Sequence, residues 1–154
     1  MGTNSAFRWI TVVLRVLLGA IFVYAAWTKL RLPWQLFAMS IDSYQLLPPS
    51  MVELVARTLP WFELALGLAV LAGIWLRFTS GIMSLLLIVF FTLMVRAAIK
   101  GQEISCGCFG PGETMSWKTM LRDGAMLAGS LLVTALAFLR ARRPAAPADL
   151  PPAA

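Results

Sequence analysis

The sequence predicts an all-α membrane protein: a bundle of four transmembrane helices with a short interfacial helix between spans one and two. Three observations lead there. Of the 154 residues, 60% are apolar and only 13% charged, against about 45–50% and about 25% in a soluble domain. The apolar residues gather in four stretches, each near the roughly 20 residues that cross a bilayer core. Four such stretches use up the chain, so a single domain over residues 1–139 is expected, with no second soluble domain.

Span one covers residues 9–30, an apolar run from Trp9 to Trp27 that Arg15 interrupts and Lys29 closes. A signal peptide is the rival reading, with Arg8 before the core and Ala25-Ala26 as a cleavage site. The core is long for that role and Arg15 cuts it, so a retained span is expected. Residues 33–47 follow Pro33 and set Trp34, Phe37, Ile41 and Tyr44 at helical spacing against Gln35, Asp42, Ser43 and Gln45. That stretch is too short and too polar to cross, and fits an interfacial helix ended by Pro48 and Pro49.

Span two, residues 50–76, opens with Ser50 as N-cap and Glu53 completing a capping box, and Glu53 also stands four residues before Arg57. Its apolar body contains Pro60 and one acid, Glu63. Span three covers residues 78–99 after a very short turn, which makes spans two and three antiparallel neighbours. Residues 101–116 form a loop, residues 117–139 form span four, and residues 140–154 form a basic tail rich in Pro and Ala, which is expected to be disordered.

An even number of spans puts both termini and the Arg77 turn on one side, with the interfacial helix and the loop 101–116 on the other. Basic residues do not settle the orientation by counting: Arg8, Arg77, Arg140, Arg142 and Arg143 oppose Lys29, Arg31, Arg57, Arg96, Lys100, Lys118 and Arg122. Six of the seven acids, all but Asp149, lie on the loop side and can neutralise its cations. The termini are therefore expected in the cytoplasm of a bacterial inner membrane, with the loop in the periplasm.

Histidine is absent, which removes the usual catalytic base near neutral pH and the commonest metal ligand. Serine–histidine hydrolysis, zinc chemistry and ordinary haem ligation are not expected. The net charge of +6 is scattered along span flanks rather than gathered on a polar face, so nucleic acid is not an expected partner. Membrane lipid is. Both cysteines stand in one loop, in Cys106-Gly107-Cys108-Phe109-Gly110-Pro111-Gly112. Residues two apart have Cα atoms about 5.5–7 Å apart, which overlaps the disulfide window of about 4.4–6.8 Å. A bond there is feasible but strained, and strain raises the reduction potential toward a relay role. Two incidental small residues are the bland reading, though an oxidising compartment rarely leaves two thiols idle. Capture of mercury or copper(I) by two thiolates stays open.

Ionisable groups inside a bilayer are functional candidates by default. Lys29, Glu63, Arg96, Arg122 and Asp123 all fall near the loop-side ends of their spans. With Lys29 or Arg122 as neighbour, Glu63 forms a buried ion pair; alone, it could carry a proton. Arg122 and Asp123, adjacent on a helix, are expected to face different partners. Arg96 and Lys100 are expected to snorkel to the interface. Tyr24, Trp27, Trp34, Trp61 and Trp117 read as an aromatic belt; Tyr24, Trp27 and Trp61 could also wall a quinone site.

Lys29 before Pro33, the segment Leu59-Pro60-Trp61-Phe62-Glu63-Leu64 leading to Gly67, and Cys106-Gly107-Cys108-Phe109-Gly110 before span four form a familiar pattern. It resembles the MauE branch of the DoxX-like membrane proteins, over residues 10–139. The Cys-x-Cys-Phe-Gly loop is the specific part. The resemblance implies a four-helix bundle laid out like the quinone-linked disulfide-forming proteins, working with a periplasmic thioredoxin-like partner. Members of this branch are associated with maturing methylamine dehydrogenase, a disulfide-rich enzyme.

The expected function is therefore a membrane thiol–disulfide oxidoreductase in which Cys106 and Cys108 exchange electrons with a thioredoxin-fold protein and a membrane acceptor or donor such as quinone. Lys29 or Arg122 would favour the thiolate and Glu63 would move the proton. A soft-metal transporter and a non-catalytic assembly factor for a disulfide-rich periplasmic enzyme are the rivals. Oligomeric state, direction of electron flow and the attacking cysteine are not legible.

Overall fold

A computed structural model describes residues 3–101 and 116–141, with side chains over 8–101 and 116–139. Among the described residues the regular structure is helical: α1 (Thr3–Leu30), α2 (Trp34–Asp42), α3 (Pro49–Ala72), α4 (Leu76–Ile99) and α5 (Trp117–Ala141). Helices α1, α3, α4 and α5 are the four expected spans. Between 28% and 33% of each span's most apolar stretch is buried inside the protein. The rest of those faces, with Leu17, Phe78, Leu85 and Leu132 among the exposed side chains, is surface that hydrocarbon solvates and water would not.

The nine-residue α2 is the short interfacial helix, and it stops at Asp42 rather than continuing to Leu47. Gln45 adopts a left-handed φ of 50°, and the amides of Tyr44 and Gln45 donate to carbonyls three residues back. The last turn is thus tightened and closed before Pro48 is reached. The start of α3 also differs from expectation: Pro48 is the N-cap, Pro49 occupies the first turn, and no side chain caps the helix. Proline suits that position because it has no N–H left unsatisfied and its φ is already helical. Glu53 pairs instead with Arg57, at 2.7 Å.

The bundle is built from two chief pairings, α1 on α3 and α4 on α5, with α2 laid against α3. Gly19 and Gly67 form the α1–α3 crossing. A Cβ on Gly19 would stand 3.1 Å from the Gly67 carbonyl oxygen, and one on Gly67 would stand 3.0 Å from the Val23 nitrogen. Small residues let helix backbones approach this closely, which is how packing is gained where lipid is as apolar as the side chains. The contact fixes the register that sets the last turn of α1 opposite Glu63.

Hydroxyl groups tie α4 to α5. Ser84 Oγ donates to Ser130 Oγ at 3.1 Å and lies 3.1 Å from Thr134 Oγ1. A common core of Leu18, Phe22, Leu66, Val70, Met83 and Val133 draws on all four spans. Helices α3 and α4 are joined by the short turn at Gly73, whose φ is 75°, yet touch each other sparingly. A cavity lies between them, walled on a third side by α2.

Candidate functional site

Lys29 stands in the last turn of α1, where the negative end of the helix dipole favours a cation. Its ammonium donates to both carboxylate oxygens of Glu63, at 2.8 and 2.7 Å. The pair is enclosed: the two side chains are 1% and 6% exposed. Phe37, from α2, and Phe90, from α4, present their rings to the ammonium at 5.0 and 5.8 Å. Phe37 is itself buried, so α2 acts as a cover over the ion pair. Of the two neighbours the sequence offered Glu63, Lys29 takes the place.

Glu63 belongs to a helix that runs unbroken through Pro60. Proline cannot donate to the carbonyl four residues earlier, so the turn before Glu63 is weakened in its hydrogen bonding without being opened. Arg122 is turned elsewhere. Its Nε lies 2.9 Å from Asp123 Oδ1, with Asp123 buried and Arg122 at 37% side-chain exposure. Arg122 and Asp123, expected to face different partners, also contact each other: the long arginine side chain folds back onto its neighbour although the two Cβ atoms leave the helix in different directions.

A cavity of about 40 Å³ abuts the pair, lined by Lys29, Glu63, Asp123 and the apolar side chains of Phe22, Phe90 and Met94, among others. Asp123 was named in the sequence as an intramembrane charge but not as a site residue. Nothing in a linear pattern says which face of α5 points inward. A second, larger cavity of about 380 Å³ lies between α2, α3 and α4, with Phe37, Tyr44, Leu59, Leu86 and Phe90 in its wall. Phe90 and Leu86 line both cavities.

Tyr24, Trp27 and Trp61 are 60%, 55% and 63% exposed and line neither cavity. They face outward, and the aromatic residues lining the two cavities are Phe22, Phe37, Phe90 and Phe91 with Tyr44. Other cations on this side are engaged as well: Arg57 lies over the Trp34 ring at 4.3 Å and Arg31 over the Trp27 ring at 5.7 Å. Arg96 and Lys100 are exposed, as expected for interfacial side chains. Cys106 and Cys108 lie outside the described residues, as does the tail beyond Ala141. The chain leaves α4 at Gly101 and re-enters at Ser116. Met94 near the end of α4, Asp123 near the start of α5 and Lys29 at the end of α1 share one cavity, so the cysteine-bearing loop leaves and rejoins the bundle at the end that holds the ion pair.

The profile of a family described as "Methylamine utilisation protein MauE" matches residues 7–138. A protein of Paracoccus versutus named methylamine utilization protein MauE is 32% identical over 140 residues, which is 89% of this chain and 74% of that relative. The chain belongs to the MauE family. No solved structure matches it. As a MauE protein with four apolar helices of spanning length, it is a multi-pass membrane protein.

Proposed function

We propose that this MauE-family protein is a membrane thiol–disulfide oxidoreductase that serves methylamine utilisation, with Cys106 and Cys108 as its working pair. The observation that carries the reading is the buried Lys29–Glu63 pair at the bundle end from which the cysteine loop extends. A charge pair costs stability in a bilayer, and its place at the bundle end where Gly101 and Ser116 bound the segment that carries the only two thiols of the sequence gives that cost a use. A thiolate of a periplasmic thioredoxin-fold partner attacks one sulfur of the Cys106–Cys108 disulfide, the S–S bond breaks, and a mixed disulfide forms. The partner's second thiolate resolves it, which leaves the partner oxidised and Cys106 and Cys108 as thiols. Reoxidation then removes two electrons and two protons as the S–S bond forms again. The same steps run in reverse if the partner is to be reduced.

A quinone, when bound, would supply a two-electron, two-proton acceptor. The residues present fit such a group. The 380 Å³ cavity lies in the range of small-molecule sites, about 300–1,000 Å³, its wall is almost wholly apolar, and Phe37 and Phe90 in that wall lie 5.0 and 5.8 Å from the Lys29 ammonium. The apolar wall would hold the ring, and Glu63, behind Phe37 and Phe90, would hold the proton. The termini are placed in the cytoplasm and the loop in the periplasm. The engagement of Lys29, Arg31, Arg57 and Arg122 with acids or rings supports that orientation, because it removes four of the cations that argued against it.

Trapping distinguishes the readings. With Cys108→Ser and, separately, Cys106→Ser, one variant accumulates a mixed disulfide with a periplasmic protein that reductant dissolves. Metal uptake lost with either cysteine and no trapped adduct would establish a transporter instead. Full support of methylamine growth by the double serine variant would leave only an assembly scaffold.

A further inference from the structure

The α3-facing side of α1 carries a second cation, far from the ion pair. Arg15 stands seven residues inside the span that begins at Arg8, about 10 Å from its end at 1.5 Å per residue. A cation at that depth is costly and calls for a use. Unlike Lys29, Arg15 has no acid to pair with among the described residues: its Nε is buried and meets no hydrogen-bond partner there. The described acids are Asp42, Glu53, Glu63 and Asp123, and none belongs to the first half of α1, the α3–α4 turn or the second half of α5.

The guanidinium is nonetheless firmly placed. Side chains on a helix lean toward its N-terminus, so Arg15 reaches back along α1 to the turn where α3 gives way to α4. A Cβ on Gly73 would stand 2.6 Å from its Nη1, 3.3 Å from Cζ and 3.8 Å from Nη2. Glycine thus leaves the space that the group fills, at the negative end of the α3 dipole. Trp75, two residues further on, and Trp9 of α1 are both exposed at this end. Tryptophans at span ends sit at headgroup level, which sets the Arg15 guanidinium at the depth of lipid phosphate. Arg8, seven residues before Arg15 and so within about 20° of the same helix face, and Arg77, in the first turn of α4, are exposed here too. We propose that Arg15 forms the floor of a binding site for the phosphate of an anionic phospholipid, with Arg8 and Arg77 at its rim.

The chemistry of the group selects that ligand class. A guanidinium stays charged, and its planar fork matches two oxygens of one phosphate. Basic pockets between transmembrane helices take anionic headgroups in this way. A zwitterionic headgroup brings an ammonium of its own, which three cations without acidic neighbours repel, so the site favours a lipid of net negative charge. Deeper on α1, Val16 and Leu17 are exposed and offer apolar surface to the acyl chains. The site does not depend on the thiol–disulfide reading, nor on which compartment this end faces, because both leaflets carry phosphate at this depth.

Native mass spectrometry of the full chain, released from nanodiscs of equal parts phosphatidylglycerol and phosphatidylcholine, reads which lipid is kept. The unaltered chain is expected to keep one phosphatidylglycerol in preference to phosphatidylcholine, and Arg15→Gln to cut that preference about 10-fold or more, as expected for hydrogen bonds made by a charged group. Arg15→Lys, which keeps the charge and loses the fork, should fall between them. Lys100→Gln removes the same charge from the opposite end of the bundle and should change nothing. Excess inorganic phosphate should leave the lipid in place. Equal retention of the two lipids by the unaltered chain would overturn the proposal, as would Arg15→Lys proving as selective as the unaltered chain. A loss in Lys100→Gln equal to that in Arg15→Gln would reduce the preference to net charge, and replacement of the lipid by inorganic phosphate would make the site one for the free anion; either result overturns the assignment.

Discussion

Removing one partner of the Lys29–Glu63 pair should cost far more than removing both. The ammonium reaches both carboxylate oxygens within 2.8 Å, and the side chains are 1% and 6% exposed, so neither survivor can find water without moving a helix. A buried charge stripped of its partner costs about 3–5 kcal/mol. At about 2–4 °C per kcal/mol for a chain of this size, Lys29→Met and Glu63→Leu should each lower Tm by about 6–20 °C. The double variant replaces the pair with apolar side chains and should return to within about 1–2 kcal/mol of the native protein, since such exchanges are often neutral or stabilising. The coupling between the two sites should then be about 4 kcal/mol or more, the summed single losses less that of the double variant. Thermal unfolding of all four proteins in the same nanodisc preparation measures this cycle. Additive losses, or single variants as stable as the native chain, would refute the reasoning that this pair is enclosed and mutually dependent.

Other positions give sharper contrasts. Gly67→Leu should destabilise by about 1–3 kcal/mol through overpacking, because a Cβ already meets Val23 N at 3.0 Å; Gly81→Ala, with nothing within 4 Å, should be neutral or slightly stabilising in the same melt. Ser84→Ala should cost about 0.6 kcal/mol, and no more than about 1.7, the range for hydrogen bonds between membrane helices, read by reversible unfolding. Arg57→Ala should change stability by less than about 1 kcal/mol, since its bridge to Glu53 is more than half exposed on both sides. Phe90→Ala should merge the two cavities and weaken binding of a water-soluble quinone analogue, measured by titration calorimetry; unaltered affinity would remove the larger cavity from the proposed site.

The four spans were legible because a bilayer demands long apolar runs whatever the tertiary contacts, and hydropathy reports that demand directly. The ends were less so. Ser50 with Glu53 has the composition of a capping box, but Pro49 starts the helix a residue earlier and Arg57 takes Glu53. For α2, the amphipathic spacing continues past Asp42, while the left-handed turn at Gln45 that ends it has no signature as strong as glycine. Lys29 and Glu63 were both named from their depth in the bilayer. Their pairing depends on the α1–α3 register, which the Gly19–Gly67 approach sets and which a single sequence does not display. Asp123 was seen as a charge and passed over as a site because its inward face is decided by how α5 rolls against α4, where Ser84, Ser130 and Thr134 make the contact. Tyr24, Trp27 and Trp61 carry the composition of a binding wall, yet face outward, as belt residues do.

The proposed chemistry lies at the end of the bundle that holds the buried pair; whether Cys106 and Cys108 perform it is open to one direct reading. Membranes carrying the native chain are treated alternately with oxidised and reduced quinone, quenched in acid, and their thiols labelled with a mass-shifting alkylating reagent. The account predicts that both labels are lost with the oxidised quinone and regained with the reduced one, and that Glu63→Gln slows the change in either direction. Two labels that never alter under either condition would contradict it.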